Sequence, residues 1–138
     1  MAIREGSVVE VELNPPADGE SGYTKERPAV VLVVDSEGDT CTVVGVSTKL
    51  EIGDSNYFVE LPFTHNRSNS SGNSNSGLYE KCVAKCYWYD TVLMSSCKKI
   101  GYVSTKKLIE IRGLVQQHEH TDFRETGATA DKTDEPSE

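Results

Sequence analysis

The chain has 138 residues, 36% of them hydrophobic and 26% charged, with a formal net charge of −8. That length accommodates one domain. No apolar run reaches the ~18 residues of a membrane helix, and Met1–Gly6 lacks the apolar stretch of a signal peptide, so a cytoplasmic protein without membrane contact is expected. The charge excludes a surface that is basic all over, but it is unevenly spread. Residues 117–138 hold seven acids against Arg124 and Lys132, which leaves only −3 on the other 116 residues and allows a local basic patch.

Ser7 to Leu13 reads as the first strand, with Val9, Val11 and Leu13 on one face and Glu10 and Glu12 on the other. Asn14-Pro15-Pro16 stops it, and a polar loop rich in turn formers runs to Glu26. Ala29 to Val34 is continuously apolar, the pattern of a strand buried on both faces. A short turn at Ser36–Asp39 leads to a β-branched strand, Thr40 to Ser47, and Tyr57 to Leu61 forms a fourth, ended by Pro62. Residues 64–77 are Asn/Ser/Gly-rich and read as a mobile insertion that buries nothing.

Leu78 to Tyr89 alternates at period two. The even positions, Leu78, Glu80, Cys82, Ala84, Cys86 and Trp88, are mostly small or apolar. The odd positions, Tyr79, Lys81, Val83, Lys85, Tyr87 and Tyr89, are mostly basic or aromatic, which predicts one core face and one basic aromatic face. Ile100 to Val103 is a short last strand. Ser104 then caps a helix from Thr105 to about His118, with Leu108, Ile111 and Val115 as its apolar stripe and Ile109 beside them. The polar, acidic residues from there to Glu138 read as a disordered tail. Five or six short strands and one closing helix predict a small, highly curved antiparallel sheet or open barrel. A chain this short covers such a sheet incompletely, so self-association is expected.

Four cysteines with no secretory signal read as free thiols. Cys82 and Cys86 lie four residues apart, roughly 13 Å on a straight strand, whereas two thiolates on one zinc each sit ~2.3 Å from it. No metal or cofactor is therefore expected. His65, His118 and His120 read as solvated.

Arg27 precedes Pro28, which presses its backbone into an extended form. A guanidinium so anchored at a loop mouth suits a phosphate grip; the plain alternative is a surface arginine paired with Glu26 or Glu20. Ser47 and Thr48 end a strand, where hydroxyls either bind phosphate or merely close the strand. The odd face of Leu78–Tyr89 has lysines for phosphates and tyrosine rings for unpaired bases, or else is a solvent face or dimer contact. Between Leu61 and Tyr89 the only acid is Glu80, so Arg27, Lys49, Arg67, Lys81 and Lys85 are candidates for one basic patch.

The frame Gly6-Ser7-Val8-Val9-Glu10-Val11, a polar loop, Arg27-Pro28-Ala29-Val30-Val31-Leu32-Val33, Val44-Gly45-Val46-Ser47-Thr48, Val83–Val92 and a C-terminal helix resembles the MazF/PemK family of toxins from type II toxin–antitoxin systems. The resemblance covers about residues 4–117, with 118–138 as the acidic tail. It implies a mainly β fold with a C-terminal helix, a small SH3-like barrel of the plasmid maintenance toxin (CcdB-like) type, and a homodimer. It also implies an endoribonuclease, an mRNA interferase, that cuts single-stranded RNA without metal through attack of the 2′-hydroxyl and is neutralised by a cognate antitoxin. Arg27 falls on the family's catalytic arginine and Ser47 on a position that is usually threonine. Lys85 falls where some members have a catalytic arginine, and Tyr87 where some have an acidic residue proposed as the base. Lys49, Arg67, Tyr79, Lys81, Tyr87 and Tyr89 are the expected substrate-binding set. The alternative is a member that cuts weakly or not at all and binds RNA or protein.

Overall fold

β-branched residues crowd the first half of the chain, and there they form three long antiparallel strands: β1 (Ser7–Leu13), β2 (Lys25–Asp35) and β3 (Thr40–Ser47). The computed structural model describes residues 3–63 and 76–127, those from 121 onward as backbone. Three further strands, β4 (Phe58–Glu60), β5 (Val83–Leu93) and β6 (Lys98–Tyr102), and a helix α1 (Thr105–Gly127) complete it. The sheet order is β4-β5-β3-β2-β1-β6, and every neighbouring pair is antiparallel. The edge strands β4 and β6 do not pair with each other, so the sheet curls without closing into a barrel. The mainly β architecture with one C-terminal helix is the one expected.

Both faces of the sheet are buried, each by a different cover. Val8, Val30, Val44 and Val46 point to one side, where α1 lays down Leu108, Ile111 and Val115. Val9, Val11, Ala29, Val31 and Val43 point to the other, roofed by Trp88, Val92, Met94 and Cys97 from the far end of β5 and the turn beyond it. This double cover is why β2 reads as an unbroken apolar run. Ser104 caps α1 as expected, its Oγ accepting from the Lys107 N–H at 3.1 Å. The helix runs on to Gly127, past the expected end near His118, and Ile109, beside the stripe, is 61% exposed. All four cysteines are free thiols. Burial pushes Cys41 and Cys86 up to about 12 and Cys82 up to about 11.

The stretch Leu78–Tyr89 departs from its expected form in two ways. The strand begins only at Val83, and the alternation does not persist through it. Between Val44 and Val46 β3 advances two residues, while its partners on β5 run from Tyr89 to Ala84. The surplus on β5 is a bulge that changes which face each residue takes. Ala84 and Cys86 pack on the helix side, but Trp88 crosses to the other side and Tyr89 takes its place. Gly45 lies under the bulge, and a Cβ there would overlap the Trp88 ring. The insertion at 64–77 is also shorter than expected at its base. Ser76 is fully buried and donates its hydroxyl to the Pro62 carbonyl at 2.7 Å, and Leu78 is buried too. Residues 64–75, Arg67 and His65 among them, lie outside the described residues, as does the chain from residue 128 on.

Candidate active site

Arg27 and Ser47 both lie two residues beyond the Ala29–Gly45 pair, on the face that carries the second core cluster. Their strands run out from under the Trp88 cover at that end, and the β1–β2 loop folds over them. Arg27 is only 7% exposed. Its Nε donates to the Leu13 carbonyl at 3.2 Å, its Nη2 donates to the Tyr23 carbonyl at 2.7 Å, and the guanidinium sits 5.8 Å from the Trp88 ring centroid. Two carbonyls and an aromatic face thus fix the fork. Its Nη1 has no partner among the described residues and remains a donor for a ligand. Ser47 is buried; its Oγ accepts from the Lys49 N–H at 2.9 Å and donates to Glu20 Oε2 at 3.0 Å.

Glu20 belongs to a chain of buried charges that the sequence alone does not show. Lys85, with no exposed surface, donates from Nζ to Asp18 Oδ2 at 2.8 Å and to Glu20 Oε2 at 3.1 Å. Tyr87 donates its hydroxyl to the same Asp18 oxygen. The Asp18 and Glu20 side chains are 8% and 6% exposed. For Asp18, burial raises the pKa, but the hydrogen bonds from Lys85 and Tyr87 outweigh it, and the carboxyl lies below its ordinary 3.8. Burial first, and then the Asp18 carboxylate, push the Tyr87 phenol well above its ordinary range, so it stays protonated and is no base. Arg27 and Lys85 against Asp18 and Glu20 leave these four groups neutral in sum.

Arg27, Glu20, Ser47, Lys49 and Tyr79 line one open cavity of about 380 Å³. Of the residues singled out from the sequence, this brings together Arg27, Ser47, Lys49 and Tyr79. Lys85 is not the exposed phosphate ligand of a basic face. Because the loop covers β5 at this point, its ammonium is enclosed by the carboxylates of Asp18 and Glu20. Lys81 lies before the strand, on the surface, 4.0 Å from Glu60, and does not line this cavity. Tyr87 and Tyr89 face a second, neighbouring cavity. His118, read as solvated, is half-buried there, with its ring centroid 5.2 Å from that of Tyr57. Sequence reading missed Asp18 and did not single out Glu20, in the same loop, as a candidate site residue. The available signal was the pair of acids two residues apart in the loop leading to Arg27-Pro28. Among the described residues, no group of three His, Cys, Asp or Glu side chains is arranged to hold a metal.

Residues 4–119 match the family described as PemK-like, MazF-like toxin of type II toxin-antitoxin system. This chain belongs to that family. Among solved structures it is similar to MazF of Deinococcus radiodurans, at 19% identity and a TM-score of 0.61 over 87% of this chain and 98% of that one. It is also similar to a chain of the MazE–MazF structure from the same organism, at 19% identity and a TM-score of 0.57 over 84% and 94%. The Mycobacterium tuberculosis toxin MazF-mt6 shares 15% identity at a TM-score of 0.55 over 83% and 96%. These likenesses show a common fold. No curated protein sequence matches the chain. Among the described residues of this PemK/MazF family member, no helix is long and apolar enough to cross a membrane.

Proposed function

We propose that this toxin-family chain cuts single-stranded RNA by attack of a ribose 2′-hydroxyl on the adjacent phosphorus, with Arg27, Ser47 and Glu20 as its catalytic residues. The observation that carries this reading is the convergence of a fixed guanidinium, a hydroxyl and a carboxylate on one open cavity. The RNA supplies its own nucleophile, so the protein must place the phosphate, stabilise charge and move protons. Glu20 accepts the 2′-hydroxyl proton as the O2′–P bond forms and the P–O5′ bond breaks. The 5′-oxygen leaves as a hydroxyl after taking a proton from water, and the other product end is a 2′,3′-cyclic phosphate. Arg27 and the Ser47 hydroxyl face the phosphoryl oxygens, and Ser47 exchanges its bond to Glu20 for one to phosphate. Lys85 is a positioning residue that holds the Glu20 carboxylate over the site.

By the same reading the chain binds a cognate antitoxin and pairs with a second copy of itself. The likeness to a chain of the MazE–MazF structure supports the first, and the half-exposed Val33 and Leu93 support the second. Arg27→Ala should lower cleavage of a long single-stranded RNA by about 10²- to 10³-fold, the usual worth of one donor aimed at transition-state charge. Arg27→Lys should not rescue it, because the fork is lost. Cleavage within a few-fold of wild type by the alanine variant would remove Arg27 from the mechanism. The cancellation of Arg27 and Lys85 by Asp18 and Glu20 favours a second reading, a member that binds RNA without cutting it. In that case Arg27→Ala weakens binding and no variant, wild type included, yields products.

A further inference from the structure

The cavity on the far side of the Asp18–Lys85–Glu20 triad is larger than the Arg27 site and has a different chemistry. It encloses about 530 Å³, and its walls are the rings of Tyr57, Tyr87, Trp88, Tyr89 and His118. These rings stand mostly edge to face. His118 is at 88° to Tyr57 with centroids 5.2 Å apart and at 75° to Tyr89 with centroids 6.0 Å apart, and Tyr57 is at 86° to Tyr87. Edge-to-face packing leaves ring faces available to a flat guest. Asp54 and Asp90 are also in the lining, as are residues of the β1–β2 segment from Leu13 to Asp18. In each, Oδ1 accepts a nearby backbone N–H, from Asn56 at 3.0 Å and from Thr91 at 2.8 Å, while Oδ2 has no partner among the described residues. No lysine or arginine lines this space. A phosphate is therefore disfavoured here, and a planar, uncharged group bearing N–H donors fits.

The two cavities have no lining residue in common, but their linings touch. Asp18 and Tyr87 line the aromatic one; Tyr87 donates to Asp18, and Asp18 holds Lys85, whose other partner, Glu20, lines the Arg27 cavity. Trp88 lines the aromatic cavity and carries the Arg27 guanidinium over its ring. The Arg27 guanidinium, 5.8 Å from the centroid of the Trp88 ring, is what brings the two sites side by side.

We propose that this cavity is a nucleobase subsite that accepts an amino-bearing base (adenine, cytosine or guanine) and rejects uracil. Its place beside the cut rests on the RNA-cleavage reading, whereas its base chemistry does not. Aromatic faces stack any base. Selection comes from the carboxylates, which only accept: they take the exocyclic amino hydrogens of adenine, cytosine or guanine, whereas uracil has no amino group and its one N3–H is flanked by two carbonyl oxygens that a carboxylate repels.

The test uses the full chain and short single-stranded deoxyoligonucleotides, which lack the 2′-hydroxyl and are not cut. Affinities for oligo-dC, oligo-dA and oligo-dU are compared by fluorescence anisotropy. The proposal expects dC and dA to bind about tenfold more tightly than dU, the discrimination of one good carboxylate–amino contact. Asp90→Asn, at an exposed position, should flatten that preference, and Tyr57→Ala should weaken all three. Equal binding of the three oligonucleotides overturns the proposal, as does a preference that survives both substitutions. So does a Tyr57→Ala chain that binds oligonucleotides normally but loses its antitoxin, because the cavity would then hold a protein side chain. A base preference in a chain that cuts no RNA leaves the subsite standing while the cleavage reading fails; cleavage with no preference does the reverse.

Discussion

Lys85 and Arg27 look alike in sequence, two cations beside apolar strands, yet the fold gives them opposite situations. Arg27 was legible as a candidate because the proline after it holds its backbone extended at a loop mouth, and it does line the candidate cavity. Its restraints, two carbonyls and the Trp88 ring, were not legible, since they come from segments brought together by the sheet. Lys85 reads as a surface ligand in the sequence because period-two alternation says nothing about a loop folding over the strand. Its removal should be costly. In Lys85→Met two buried carboxylates lose their shared cation, and breaking such a pair typically costs about 3–5 kcal/mol. The sign of the pH effect follows from Asp18. Its folded pKa lies below its ordinary 3.8, so in wild type this contribution is complete above about pH 4 and is lost as pH falls through the folded value. Without Lys85 the carboxylates are the liability, and protonating them relieves it. Urea unfolding should therefore show the largest deficit of the variant at pH 7 and a smaller one below pH 4. A deficit independent of pH would mean that Lys85 stabilises by packing alone.

Strands β1 and β3 and the start of α1 were legible at their boundaries because each has one dominant signal: alternation, β-branching, or a serine cap before an apolar stripe. β5 was not, because its bulge is a property of the pair with β3 and not of its own pattern. Gly45 is the one residue that marks it. Gly45→Ala drives a Cβ into the Trp88 ring, so it should cost about 1–3 kcal/mol as an overpacked site does, and it should disturb Arg27, which rests on that ring. Gly113 is the opposite case. It lies within α1 with nothing near the position a Cβ would take, so Gly113→Ala should stabilise the chain by about 0.5–1 kcal/mol without touching the site. Denaturant midpoints of the two variants should move in opposite directions; a destabilised Gly113→Ala would point to a partner covering that face of the helix.

For the molecule as a whole, an acidic chain that handles RNA needs no large basic field if the chemistry sits in a locally balanced site. Of the expected basic patch, the described residues keep Arg27 and Lys49 at the cavity, where Lys25 joins them, while Lys85 is neutralised and Lys81 points elsewhere. Affinity for single strands should then depend only weakly on salt, with a log–log slope of about −0.7 to −1.4 for one to two phosphate contacts. Lys49→Ala should shrink that slope while Lys81→Ala leaves it. Deleting residues 128–138, which carry four acids against Lys132, should raise affinity slightly at low salt and leave the melting temperature unchanged. A steep slope would place further cations on the RNA path. The central claim, that a guanidinium, a hydroxyl and a carboxylate suffice to turn an RNA 2′-hydroxyl on its own backbone, is tested most directly by the ends it leaves. A long single-stranded RNA is incubated with purified chain in EDTA, and the fragment termini are mapped. The account predicts 2′,3′-cyclic phosphate and 5′-hydroxyl ends at an undiminished rate, with Glu20→Gln slower by about 10²- to 10⁴-fold, the usual worth of a general base. Fragments with 5′-phosphate ends, cleavage that stops in EDTA, or a Glu20→Gln chain as fast as wild type would contradict it.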